Sequence, residues 1–341
     1  MKVLVAGATG AVGHQLVPLL LEHGHDVSGL ARSENSKQEI SRMGATPILA
    51  DALNADEVRA AIEQAQPEVI VHQLTALSGQ LDLRHFDRDF ALTNRLRTEG
   101  TAHLLTAGRA VGVRRFIAQS YTGWPFARTG GGVKTELDPL DPAPPKGLRR
   151  TLEAIRQLEQ AVTSAPWTTG IVLRYGGFYG PGTSLAADGE HLQLIRGRKF
   201  PVVGDGGGVW SFTHIEDAAQ ATLAAIEHGE RGIYQIVDDD PAPVREWLPE
   251  IAAELGAPAP RHVPRWLGRL LAGEVAVGML TEIRGASNAK AKRELGWRPA
   301  HPTWRGQFTL ASLAAETTKT GTTGQGNRAN SGNPGRAGDI G

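Results

Sequence analysis

The apolar residues of this chain fall in short runs separated by polar or amphipathic stretches. Runs at Val3–Ala6, Val27–Leu30, Pro47–Ala50, Val69–Gln73, Phe116–Gln119 and Gly170–Leu173 sit between turn residues and helical patterns. Runs this short and this continuous predict strands buried on both faces. Between them, Asp56–Gln64 and Leu96–Ala110 repeat apolar residues at helical spacing. Strands alternating with helices predict an α/β fold, a Rossmann-like doubly wound parallel sheet with helices on both faces.

After Arg174 the alternation loosens. "RYGGFYGPGTS" is a Gly/Pro loop, followed by a predicted helix at His191–Arg196 and short strands near Pro201–Val203 and Val209–Thr213. Helices at Asp217–His228 and Val244–Leu255 and a strand at Ile233–Val237 follow. The expected division is a dinucleotide-binding domain over 1–174 and a smaller substrate lobe over 175–315, part of which returns to the sheet. Residues 316–341 are rich in Gly, Thr and Asn and nearly lack large apolar side chains. They cannot bury enough surface to offset their ordering entropy, so a disordered tail is expected.

Composition narrows the function. The formal net charge is zero and Lys/Arg runs are short, which gives a nucleic-acid or anionic-membrane role no electrostatic basis. Cysteine is absent, so there is no disulfide and no thiol nucleophile. No run approaches the roughly 18 apolar residues of a membrane helix. A soluble, cytoplasmic protein acting on a small molecule is expected. The eleven histidines show no His-Glu-x-x-His or similar spacing, and no Gly-x-Ser-x-Gly elbow occurs, so no metal is expected.

The first chemistry-bearing motif is "GATGAVG", which sets Gly7, Gly10 and Gly13 between a predicted strand and helix. The first glycine permits the tight turn, the second admits a pyrophosphate, and the third lets helix and strand pack closely. Thr9, Ala11 and Val12 complete the turn, whose free N–H groups face the phosphates. Where an NAD site carries an acid after the second strand, this chain has Arg32 and Ser33 in "GLARSENS". A guanidinium suits a 2′-phosphate, so NADP is preferred over NAD.

Several further motifs follow in order over about residues 1–312. "LADALN" carries Asp51 and Ala52, "VIVHQLTA" carries Leu74 and Thr75, and "LTNRLRTEGTAHLLTAG" carries Asn94. "LRYGGFYGPG", "FTHIEDAAQA" and "SNAKAKRELGWRP" come later. Together with the glycine turn they resemble an extended short-chain dehydrogenase/reductase of the NAD-dependent epimerase/dehydratase type. The resemblance implies that Asp51 reaches the adenine, that Ala52, Leu74 and Thr75 line the cofactor, that Asn94 braces the active site, and that the loop beginning at Arg174 carries nicotinamide contacts.

The resemblance fails at one place. The family uses a Tyr as proton donor or acceptor and a Lys four residues later. None of the four tyrosines here has a lysine four residues on. Anchoring on "LEQAV" puts Thr151 and Ile155 at the two positions. Tyr121 falls at or one residue beyond the family's Ser position, with Ser120 beside it, so these two are the candidate catalytic residues. Arg128, Lys134 or Lys146 is the candidate source of the missing positive charge, and "RTGGGV" is a candidate lid. Two readings follow. The first is an NAD(P)-dependent oxidoreductase or epimerase/dehydratase acting on a small carbonyl, alcohol or sugar-like substrate without the Tyr/Lys pair. The alternative is an inactive NADP(H)-binding sensor or scaffold. The Leu96–Ala110 and Thr151–Val162 helices offer a face for a homodimer.

Overall fold

The computed structural model describes residues 1–77 and 82–315; the expected tail lies outside them. Seven strands form the central sheet: β1 (Lys2–Ala6), β2 (Asp26–Ala31), β3 (Thr46–Leu49), β4 (Val69–His72), β5 (Arg115–Tyr121), β6 (Thr169–Tyr175) and β7 (Gly232–Ile236). Their order is β7-β6-β5-β4-β1-β2-β3 and every pairing is parallel. The strand order reverses between β1 and β4. In an open parallel sheet that reversal leaves a crevice at the carboxyl ends of the strands, where ligands bind.

The predicted strands are found within a residue or two of their expected bounds. The late strand expected at Ile233–Val237 is β7 and forms the sheet's edge, so the lobe segment does return to it. β1 and β4 are almost wholly apolar because both faces are covered. One face carries α1 (Ala11–Glu22) and the helix Ile215–His228, packed on Val3, Val5, Ile171 and Leu173. The other carries α3 (Ala55–Ala65), α4 and α5 (Arg149–Thr163), over Leu4, Ile70, Phe116 and Val172, while α2 (Glu34–Arg42) lies at the margin of the α1 face, with Ile40 in its core. Here α4 is the continuous helix Ala91–Arg95, Leu96–Gly100 and Thr101–Ala110, whose middle segment is a π-helical turn. It begins before the predicted Leu96 because the polar "ALTNR" turn is drawn into the helix by contacts that periodicity does not contain.

A second core lies in the later half, around Tyr179, Leu192, Phe212, Trp247, Trp304 and Phe308. Its seam with the sheet is polar. Asn288 Nδ2 donates to the carbonyls of Val237 and Asp238, and Arg305 and Thr303 donate to Asp240. Asp238, 3% exposed, has one carboxylate oxygen with no partner. Burial pushes its carboxyl up to about 8. In the unfolded chain the same group ionises in the ordinary carboxylate range, so the fold favours the proton. Stability therefore declines as pH rises from about 4 to about 8 and this contribution is level above that. Asp238→Asn is expected to remove the decline and to raise the melting midpoint at pH 8 by a few degrees. Thermal unfolding followed by circular dichroism across that window checks it; parallel curves for the two proteins would refute it.

Candidate active site

The glycine turn is built as a cradle. Gly7 has φ +99°, and a Cβ there would lie 2.8 Å from the backbone of Gln73 at the end of β4. A Cβ on Gly13 would lie 2.4 Å from the carbonyl oxygens of Gly7 and Ala8, so only glycine lets α1 start this close. Gly10 opens α1 with no side-chain cap, and a Cβ there would meet only the Gly7 oxygen, at 3.3 Å. The first-turn N–H groups of Ala11, Val12 and Gly13 thus face an uncapped helix end beside half-buried Thr9. These residues fit a dinucleotide pyrophosphate.

Other expected contacts lie around the same crevice. Arg32 is exposed at the end of β2, with no hydrogen bond or ion pair among the described residues. Ser33 caps α2 by accepting from the Ser36 N–H. Asp51 accepts from the Leu53 N–H at 2.9 Å and is exposed, while the buried Ala52 offers its carbonyl to His103. Thr75 is exposed, and the Leu74 N–H donates to Nδ1 of His72 at 3.3 Å. Because Nδ1 accepts, His72 carries its proton on Nε2, which donates to the Leu96 carbonyl and to Thr101 Oγ1. Burial lowers His72 to about 4, so it stays neutral. The π turn of α4 is therefore tied to the strand that lines the crevice.

The two positions where the family keeps Tyr and Lys are closed. Thr151 and Ile155 are both fully buried. Thr151 Oγ1 donates to Asp87 Oδ1 at 2.7 Å and accepts from Asn94 Nδ2 at 3.0 Å. Asp87 also accepts from the N–H groups of Arg150 and Thr151, so it caps α5. Asn94 is thus brought to position 151, but it meets a committed hydroxyl rather than a substrate.

Adjacent strand residues point to opposite faces, and this separates the catalytic candidates. Ser120 faces α5 and is 1% exposed; its hydroxyl donates to Glu159 Oε1 at 2.8 Å. The same Glu159 accepts from Arg174 Nε at 2.7 Å and from its terminal nitrogen at 2.6 Å. The side chains of Ser120, expected at the substrate, and of Arg174, expected at the cofactor, are both held inside the sheet–helix layer. The physical reason is the buried Glu159 carboxylate, which needs donors and takes three from them. Tyr121 is half-buried, packs against Trp124 with ring centroids 6.4 Å apart, and has no hydrogen bond among the described residues. Burial pushes its phenol up to about 12, which makes it a neutral donor and a poor base.

The expected replacement cations are engaged or remote. Arg128 pairs with Asp141 and Glu282. Lys134 is buried, donating to the Thr129 carbonyl at 2.7 Å and to Asp138 at 3.2 Å, and Lys146 is exposed. Sequence reasoning passed over Asp87, Glu159 and Arg97. Glu159 was visible as a residue two helical turns beyond Thr151 on one face of α5; Asp87 and Arg97 carried no local signal.

A seven-stranded parallel sheet, a glycine cradle at the strand-order reversal and a separate later lobe define a dinucleotide-dependent enzyme class of the extended short-chain dehydrogenase/reductase type. The family model described as NAD dependent epimerase/dehydratase family matches residues 3–237. The chain belongs to that family. A 3-diazoavenalumate denitrifying reductase from Streptomyces sp. is 46% identical over 306 residues, covering 89% of this chain and 98% of that relative. A UDP-glucose 4-epimerase from Mycolicibacterium smegmatis is 26% identical, covering 88% and 94%. The crystal structure of a Thermus thermophilus UDP-glucose 4-epimerase in complex with NAD matches with a TM-score of 0.70 at 25% identity, over 92% of this chain and 99% of that one. The reductase and epimerase relatives identify the chain as an NAD(P)-dependent oxidoreductase or epimerase type. Among the described residues no helix is long and apolar enough to cross a membrane.

Glu159 and Arg174 have side chains 6% and 4% exposed, so each leaves a buried charge if the other is removed. Glu159→Gln is expected to cost about 3 kcal/mol or more of unfolding free energy. The Glu159→Met/Arg174→Met double variant is expected to cost less than the sum of its single changes. Urea denaturation of wild type, Glu159→Gln, the two single methionine variants and the double variant checks both; additive losses would refute the pairing.

Proposed function

We propose that this protein is an NADPH-dependent reductase that removes the nitrogen of a diazo compound as N2. The observation that carries the reading is the closure of positions 151 and 155. Reducing a carbonyl leaves an alkoxide that needs a proton, and the Tyr/Lys pair exists to handle it. Here a buried threonine committed to Asp87 and a buried isoleucine take those places. Neither can shuttle a proton.

A diazonium carbon has no such need. In R–N2+ + H− → R–H + N2, a C–N bond breaks, a C–H bond forms, and the leaving group takes the electrons of the broken bond. No proton is consumed. A nicotinamide held by the glycine turn would supply the hydride with its two electrons. The protein's tasks are then to hold, orient and exclude water. Tyr121, neutral throughout the working pH range, serves as a hydrogen-bond donor that orients the substrate at the end of β5. The relative that shares 46% of its residues carries this activity in its name, and 98% of its length is matched.

Arg32 supports NADPH over NADH, since a free exposed guanidinium stands where a 2′-phosphate arrives. The adenine, pyrophosphate and ribose contacts assigned to Asp51, Ala52, Leu74, Thr75 and the glycine turn are part of the same proposal. A surface groove of about 380 Å³ between α4 and α5, lined by residues including Arg95, Arg149 and Glu153, lies on the helix face that the homodimer reading would use. The inactive sensor remains the competing reading, because a binding-only protein also has no use for a proton relay.

The decisive assay incubates the enzyme with an aryl diazonium salt and NADPH carrying deuterium at nicotinamide C4. N2 release equal to NADPH oxidation, with deuterium on the former diazo carbon, is the expected outcome. Binding of NADPH with no N2 above the uncatalysed background would establish the sensor. Reduction of a ketone panel instead would restore the carbonyl reading. Tyr121→Phe is expected to lower kcat by about 10-fold or less, as fits an orienting hydrogen bond rather than an essential acid. Arg32→Ala is expected to weaken NADPH about 10- to 100-fold and to leave NADH within a factor of three, as read by nicotinamide fluorescence.

A further inference from the structure

Arg97 is 6% exposed, in the π-helical turn of α4. One terminal nitrogen donates to Asn94 Oδ1 at 3.4 Å, and its remaining N–H groups find no acceptor among the described residues. The one carboxylate that acts on it is Glu159, which lowers none of its own commitments to do so: Arg174 and Ser120 already occupy both oxygens. His72, the neighbouring titratable group, is neutral. Arg97, Arg174 and Glu159 thus leave one uncompensated positive charge in a buried region. Burial lowers Arg97 to about 10, partly offset by the charge of Glu159.

An unpaired buried guanidinium is costly and is retained where it meets a ligand. The geometry around Arg97 says which kind. Its guanidinium lies over the Phe90 ring, 5.9 Å from the centroid. Phe90 stacks on Phe86 at 4.1 Å, Phe86 meets Trp124 edge-on at 5.6 Å, and Trp124 packs on Tyr121 at 6.4 Å. A row of aromatic rings therefore runs from the cation to the candidate donor at the end of β5. Arg97 lies in the π turn, and π turns are frequent at functional sites. Asn94, its hydrogen-bond partner, touches Thr151, so the charge lies beside the part of α5 from which the family's lysine is missing.

We propose that Arg97 is a substrate-binding residue that takes an anionic oxygen, phenolate or carboxylate, carried by a planar aromatic substrate that rests on the half-buried rings of Trp124 and Tyr121, with the buried Phe86 and Phe90 rings behind them. This deepens the diazo-reductase reading and rests on it for the reaction, but not for the binding. Arg97 binds the substrate's fixed negative charge, and the aromatic row selects a flat ring.

The test measures binding alone, by calorimetry on the NADP+-loaded protein at mildly alkaline pH. The probes are 4-nitrophenolate against 4-nitroanisole and cinnamate against methyl cinnamate; each pair differs in charge and not in ring. Wild type is expected to prefer at least one anion over its neutral partner by about 10-fold or more. Which pair shows it tells phenolate from carboxylate. Arg97→Met is expected to abolish that preference, to leave NADP+ affinity within a factor of three and to match or exceed the wild-type melting midpoint, because an uncompensated buried charge is gone. Arg97→Lys, which keeps the charge, is expected to retain part of the preference and serves if the methionine variant fails to fold. Equal binding of charged and neutral probes, no binding of any probe, or a loss shared with NADP+ would overturn the proposal. The N2 assay is independent of these outcomes, so failure of the anion site and failure of the reaction are read separately.

Discussion

One buried carboxylate organises the site. Glu159 stands on α5 and accepts from Arg174 on β6 and Ser120 on β5, so a helix and two adjacent strands converge on two oxygen atoms. A carboxylate this deep persists only when its partners satisfy it, and their loss is far more costly than their replacement by apolar residues. The clasp fixes where α5 lies against the sheet. Residues 151 and 155, earlier on the same helix, are then held against the body of the protein and not toward the crevice. The clasp also engages the Ser120 and Arg174 side chains, while Tyr121, on the other face of β5, has no side-chain hydrogen bond among the described residues.

On the reading proposed above, the site offers donors, rings and a cation in place of the family's Tyr/Lys pair. Thr151 has given its hydrogen to Asp87, His72 is neutral with both ring nitrogens engaged inside the protein, and the Tyr121 phenol stays protonated and cannot act as a base. A fold that keeps its nucleotide cradle while closing its acid–base positions is suited to chemistry in which the electrophile already carries the positive charge. Fold alone does not decide this, since one scaffold serves many reactions. The argument rests on which protonation steps these side chains can perform.

Much of the architecture was legible because it is local. Short apolar runs specify buried strands, and "GATGAVG" specifies a turn whose glycines are demanded by contacts of 2.4 and 2.8 Å with nearby backbone. The absence of any Tyr-x-x-x-Lys was also decided by the chain alone, since four tyrosines can be checked one by one. Ser120 and Tyr121 were legible as a pair, but not as a pair split by the pleat, because the face assignment depends on which helix covers which side of β5.

What the sequence by itself determined is the doubly wound sheet, the nucleotide turn and the missing proton relay, each set by spacing along the backbone. What only the tertiary structure decided is who meets whom across it. Glu159 lies 15 residues from Arg174 and 39 from Ser120, and Asp87 lies 64 residues from the hydroxyl it holds. Arg97 carried no local signal, and its burial in the π turn of α4 is decided by packing. Local pattern carries the periodicity of the backbone; partners for buried charges are chosen through space, where separation along the chain has no bearing.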